Sequence, residues 1–137
     1  SGESDETCQR MQDIGLNLGI AFQLIDDVLD YEGDPKTTGK NVGDDLNEGK
    51  PTLPLIHAMS HGAPNEAALI ADALRTKSAD KLNEIVALAE SSGGIRETRN
   101  AAVEHCERVT SALAELSSSP AKVSLERLAE FSISRER

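Results

Sequence analysis

The chain has no tryptophan, one tyrosine and two phenylalanines. With so few rings, a core must come from Leu, Ile, Val and Ala. That suits packed helices and disfavours an aromatic-rich β-sandwich. It also removes the stacking platforms on which many RNA and single-strand binders rely. Two cysteines, Cys8 and Cys106, make no disulfide framework, so a reducing, cytoplasmic setting is the expectation. No apolar run reaches the length of a membrane span, and no leader-type n-region and h-region opens the chain. Positive charge is scarce. The 14 Lys and Arg stand against 24 Asp and Glu, a net charge of −10, which argues against a nucleic-acid or anionic-membrane partner. A small anionic substrate stays open, because a divalent cation bridges acid to phosphate. An initiating Met is also missing, and the start at Ser1–Gly2 suggests a processed or truncated product.

What is present is helical throughout. The 137 residues suit one domain. Met11, Ile14, Leu18, Ala21, Phe22, Ile25 and Leu29 recur at steps of three and four, predicting a long helix over about 6–31. Gly15 and Gly19 lie on one face of it and would allow close approach of another helix. Gly33 and Pro35 stop it. A segment over about 34–51 follows with Gly39, Gly43, Gly49, Lys36, Lys40 and Lys50. A loop of more than about 15 residues in a compact domain is usually functional or disordered, and this one, not being low-complexity, reads as functional. Further helices are expected over 52–61 (Leu53, Ile56 and Met59 inward), 65–75 after Pro64, 78–89 from a Ser78 cap, 95–116 and 123–134. No strand alternation competes, and no repeat occurs. The fold class is therefore all-α, a helical bundle.

Chemistry concentrates in Phe22–Tyr31, FQLIDDVLDY. On a helix Gln23, Asp26, Asp27 and Asp30 share a narrow sector, and Asp26 and Asp30 lie about one turn apart, where their carboxylates can converge on one cation. Two carboxylates about 6 Å apart repel by about 3 kcal/mol at an effective dielectric near 20. Such a cluster calls for a counter-cation, raised pKa values or open water. An isolated DDxxD more often marks a merely solvated helix face. Two features favour a site: Asp26 flanks the apolar stripe, and the lysine-bearing loop follows directly. Acid, glycine-rich loop and lysine are what a Mg²⁺–diphosphate site needs, and oxygen-only donors point to Mg²⁺ or Mn²⁺. Gly43–Lys50 is no P-loop, since Pro51 follows the lysine. An EF-hand register from Asp30 fails at Pro35 and Asn41. His57 and His61 are four apart but lack a third ligand nearby, and with His105 they read as structural or surface histidines. Cys106 reads as a small buried hydrophobe.

FQLIDDVLD followed by GKNVGDDLNEGKPTLPLIHAM resembles the second aspartate-rich region of trans-type polyprenyl diphosphate synthases, most closely the long-chain bacterial, octaprenyl-type members. The likeness is strong over about 15–59. It implies the isoprenoid synthase type of helical bundle, truncated on its N-terminal side. It also implies Mg²⁺-dependent elongation of an allylic prenyl diphosphate by isopentenyl diphosphate. Carried onto this chain, Asp26 and Asp30 would hold Mg²⁺ with Asp27 in support, and Asp45 would bind metal-bound water. Gln23, Lys40 and Lys50 would contact the allylic diphosphate, and Phe22 would line the isopentenyl diphosphate pocket. The resemblance further implies a homo-oligomer, a dimer in the full enzyme. The family's other aspartate-rich motif and its basic isopentenyl diphosphate residues do not occur in this sequence, so the chain is expected to be inactive alone. The alternatives are a non-catalytic helical partner or regulatory subunit that kept the motif, and, less well fitted to the lysine-bearing loop, a terpene cyclase.

Overall fold

The computed structural model describes residues 5–32 and 42–134, and the side chains of all of these except residue 133. Among them the secondary structure is helical: α1 (Asp5–Glu32), α2 (Asp44–Asn47), α3 (Leu53–His61), α4 (Pro64–Thr76), α5 (Leu82–Ser91), α6 (Gly94–Ala114) and α7 (Pro120–Ser134). The Gly33–Pro35 stop, Lys36, Gly39 and Lys40 lie outside the described residues. The chain divides into two compact units, Ser1–Ile25 with Asn100–Arg137, and Asp26–Arg99.

The first unit packs Ile14 and Leu18 of α1 against Val109 and Leu113 of α6 and Ala129 of α7, with Phe22 and Leu125 partly buried on the same cluster. Cys106 is buried, as its reading as a small hydrophobe requires, and burial pushes its thiol pKa up. His105 Nδ1 lies 2.7 Å from Asn17 Oδ1, a structural role. Gly15 and Gly19 differ from expectation. Both are exposed, and among the described residues nothing comes within 4 Å of a Cβ built on either. The reason is rotational: the buried stripe runs through 14 and 18, about 100° around the helix from 15 and 19.

The second unit has its own aliphatic core. Val28 and Tyr31 of α1 join Leu46, Leu55, Ala58, Ile70, Ala73, Ile85, Ala89 and Ile95. Helix α3 packs on both α4 and α5. Its inward residues are Pro54, Leu55 and Ala58, with Met59 against the same cluster, whereas Leu53 and Ile56 are 36% and 43% exposed. Around the helix axis His57, Ser60 and His61 share one sector with Leu53, opposite Leu55 and Ala58, so the helical period itself points to the observed face. The close approach of α6 agrees with it. A Cβ on Gly94 would lie 2.4 Å from the Pro54 carbonyl oxygen, so only glycine fits there. Helix α4 begins at Pro64, and Glu66 Oε1 accepts the Ala63 N–H at 2.8 Å. Helix α5 begins at Leu82, four residues later than predicted. The Ser78 hydroxyl accepts the Asp80 N–H at 3.2 Å in a local turn rather than capping a helix.

Leu55→Ala should lower stability by about 3 kcal/mol, and Ile56→Ala by less than about 1 kcal/mol. Thermal or urea unfolding checks this, and equal losses would contradict the assigned face.

Candidate functional site

Helix α1 carries the aspartates because its last three turns have an apolar side to bury, with Val28 and Tyr31 packed in the core. Asp26, Asp27 and Asp30 then fall at graded depths. Asp26 is half-buried, Asp27 is 6% exposed and Asp30 is fully buried. Gln23, earlier on the same helix, is exposed, and Phe22 is half-buried on the aliphatic cluster of the first unit.

The 42–52 segment turns back onto the end of α1. Gly43 adopts the left-handed conformation, with φ of 91°, and its N–H donates to the Asp30 carbonyl at 2.9 Å. A Cβ at Gly43 would also meet two Leu82 methyls at 3.0 Å. Directly after it, α2 makes one turn that the sequence had suggested was loop. Its start carries Asp44 and Asp45, where acidic side chains complement the exposed N–H groups. The Asp45 N–H points at the Asp30 carboxylate, 3.3 Å from each oxygen. The Asp45 carbonyl in turn accepts the Lys50 N–H at 2.9 Å. Asp45 is 5% exposed, and Lys50 is exposed. The fold therefore brings Asp45 onto Asp30, with the charge of Asp27 felt at the same Tyr31 ring and Lys50 tied to Asp45 through the backbone; Asp26 lies one turn before Asp30 on α1. Lys40 lies outside the described residues.

Sequence reasoning missed Tyr31 and Thr52, both buried beside this cluster. Burial pushes the Tyr31 pKa above its ordinary value of 10.0. The Thr52 hydroxyl works against that shift, and the charges of Asp30, Asp45 and Asp27 add to it. The signal in the sequence was faint: an aromatic at the end of the motif helix, in a chain with hardly any.

The donors are carboxylate oxygens, the chemistry that suits a hard divalent cation. Among the described residues no three His, Cys, Asp or Glu side chains form a group able to hold an ion unaided. His57 and His61 are structural in this unit. The His57 Nε2 lies 3.1 Å from the Ser92 carbonyl oxygen, and the two rings stack at 4.0 Å.

The raised Tyr31 pKa stabilises the fold fully below pH 10, and the contribution is lost as pH rises through the folded value. Tyr31 is the chain's single tyrosine. Near-ultraviolet absorbance should thus show no tyrosinate in the folded chain at pH 10, with ionisation appearing together with unfolding. A half-ionised phenol at pH 10 with helicity intact would contradict the buried setting.

Residues 1–90 match the family model described as "Polyprenyl synthetase". The octaprenyl diphosphate synthase of Escherichia coli is 45% identical over 100% of this chain and 43% of its own length. A crystal structure of a polyprenyl synthase from Caulobacter crescentus, complexed with calcium and isoprenyl diphosphate, superposes with a TM-score of 0.86. It is 38% identical and covers 99% of this chain and 42% of its own. A decaprenyl diphosphate synthase from Rhodobacter capsulatus gives a TM-score of 0.86 at 36% identity, over 99% of this chain and 42% of that one. The chain thus spans less than half the length of the relatives it matches. No helix among the described residues is long and apolar enough to cross a membrane. With the all-α architecture, the aspartate-rich helix and the profile match in agreement, the chain belongs to the polyprenyl synthetase family and has the isoprenoid synthase fold.

Proposed function

We propose that this chain forms one side of a Mg²⁺-dependent prenyl-transfer site, in which an allylic prenyl diphosphate is elongated by isopentenyl diphosphate. The observation that carries the reading is the backbone link from Asp30 through Asp45 to Lys50, which joins the acidic helix to a lysine-bearing segment. Acid on one side and ammonium on the other is the arrangement that a metal-bridged diphosphate needs. Mg²⁺, when bound, supplies charge neutralisation on the diphosphate oxygens as the allylic bond ionises; Mn²⁺ could take its place.

In this reading Asp26, the most open of these aspartates, would hold Mg²⁺ with Asp27 and Asp30 in support, and Asp45 would bind metal-bound water. Lys50 and Lys40 hold the diphosphate as point charges, and Gln23 donates to it. Phe22 would line the isopentenyl diphosphate pocket. The relatives' names support the substrate class, and the calcium and isoprenyl diphosphate in the Caulobacter crescentus crystal support an anionic ligand with a divalent cation in this family. We place the reaction in the cytoplasm and take the full enzyme to be a homodimer. A chain spanning 43% of a related synthase supplies one side of the site only, so alone it should bind without turning over. A non-catalytic partner subunit is the competing reading.

Calorimetric titration of the chain with an allylic diphosphate should show binding that requires Mg²⁺ and is abolished by chelation. Asp26→Asn should weaken it at least about tenfold, the scale of a lost charge-assisted contact. Binding unaffected by chelation would favour the partner-subunit reading, and prenyl transfer by the chain alone would overturn the one-sided site.

A further inference from the structure

Resting on that reading of the site, we infer that Asp30 is a positioning residue: its carboxylate holds the Asp45 peptide and so places the Asp45 carboxylate and Lys50, rather than ligating the metal. Four observations carry this. Asp30 has no exposed surface, whereas a magnesium ion that keeps its waters needs a ligand facing solvent or substrate. Both carboxylate oxygens lie 3.3 Å from the Asp45 nitrogen, so the group already faces a donor at the start of α2. The main chain of the same residue grips the segment a second time, its carbonyl accepting the Gly43 N–H at 2.9 Å. One residue thereby fixes both ends of the 43–45 turn. The Asp45 carbonyl then accepts the Lys50 N–H at 2.9 Å, which carries the constraint on to the first residue of the KPT segment.

The arrangement does the work of an N-cap from a distance. A carboxylate satisfies an N–H of the first turn, and the partial positive charge there compensates its burial. Asp26 differs on the point that matters, because it retains exposed surface. The DDxxD spacing therefore serves two purposes in this chain: its first aspartate faces outward, and its last anchors the neighbouring segment.

The test uses the ¹⁵N-labelled 137-residue chain, with two readouts: amide hydrogen exchange, and Mn²⁺ affinity with inorganic diphosphate present. Asp30→Ala should cut protection of the Asp45 amide by about 10- to 100-fold relative to Ile70 and Ile85, the range for losing a hydrogen bond to a charged group. Asp30→Asn keeps an acceptor oxygen, so it should hold that protection within about fivefold and Mn²⁺ affinity within about threefold. Asp26→Asn should lower Mn²⁺ affinity at least about tenfold and leave the Asp45 amide unchanged. Should Asp30→Ala unfold the chain, Asp30→Ser takes its place in the comparison. Mn²⁺ affinity falling as far in Asp30→Asn as in Asp26→Asn, with Asp45 still protected, would make Asp30 a ligand and overturn the inference. Unchanged Asp45 protection in the truncated variant would overturn it as well. A wild-type chain that binds no Mn²⁺ would defeat the metal reading, while the exchange data would still decide the anchoring role.

Discussion

A buried carboxylate must find donors or lose its charge, and Asp30 finds its donor in the peptide of Asp45. Much of the second unit follows from that need. The segment after α1 has to bring an N–H to the Asp30 oxygens. Gly43 makes the required left-handed turn, and α2 begins at once. Leu46 is then delivered into the core beside Val28 and Tyr31, so the polar anchor and the hydrophobic packing favour the same chain path. Agreement between levels of this kind is what lets a sequence specify one structure.

Each unit is sustained by its own aliphatic cluster, and α1 contributes to both, through Ile14 and Leu18 in one and Val28 and Tyr31 in the other. The buried phenol of Tyr31 packs in the aliphatic core of the second unit, where burial and the charges of Asp30, Asp45 and Asp27 hold it neutral.

The sequence made the helical architecture and the location of the chemistry readable, because both depend on local patterns. The 3.6-residue stripe of α1 extends over about five turns and is unambiguous, and the DDxxD lies beside it. Less was readable wherever the answer depended on tertiary contact. The face of α3 is the exception, a local pattern misjudged: His57, Ser60 and His61 flank Leu53 around the helix axis, which already turns Leu55 and Ala58 inward. Helix α2 was hidden in a segment rich in glycine and lysine, since one turn is too short to show a period. Asp26 and Asp30 looked equivalent by spacing. Their difference in burial arises from the fold-back of 42–52, which no periodicity encodes. Gly15 and Gly19 suggested a helix contact that the described residues do not make.

The proposed diphosphate site rests on family membership and on the hydrogen bonds that run from the Asp30 carboxylate through Asp45 to Lys50. The most direct test is a crystal structure of the complete enzyme that carries this chain, grown with Mn²⁺ and an allylic thiodiphosphate that resists ionisation. The account predicts an anomalous manganese peak at ligand distance from the Asp26 carboxylate, and the Lys50 ammonium on the diphosphate oxygens. Manganese and diphosphate bound away from α1 and Lys50 would contradict it.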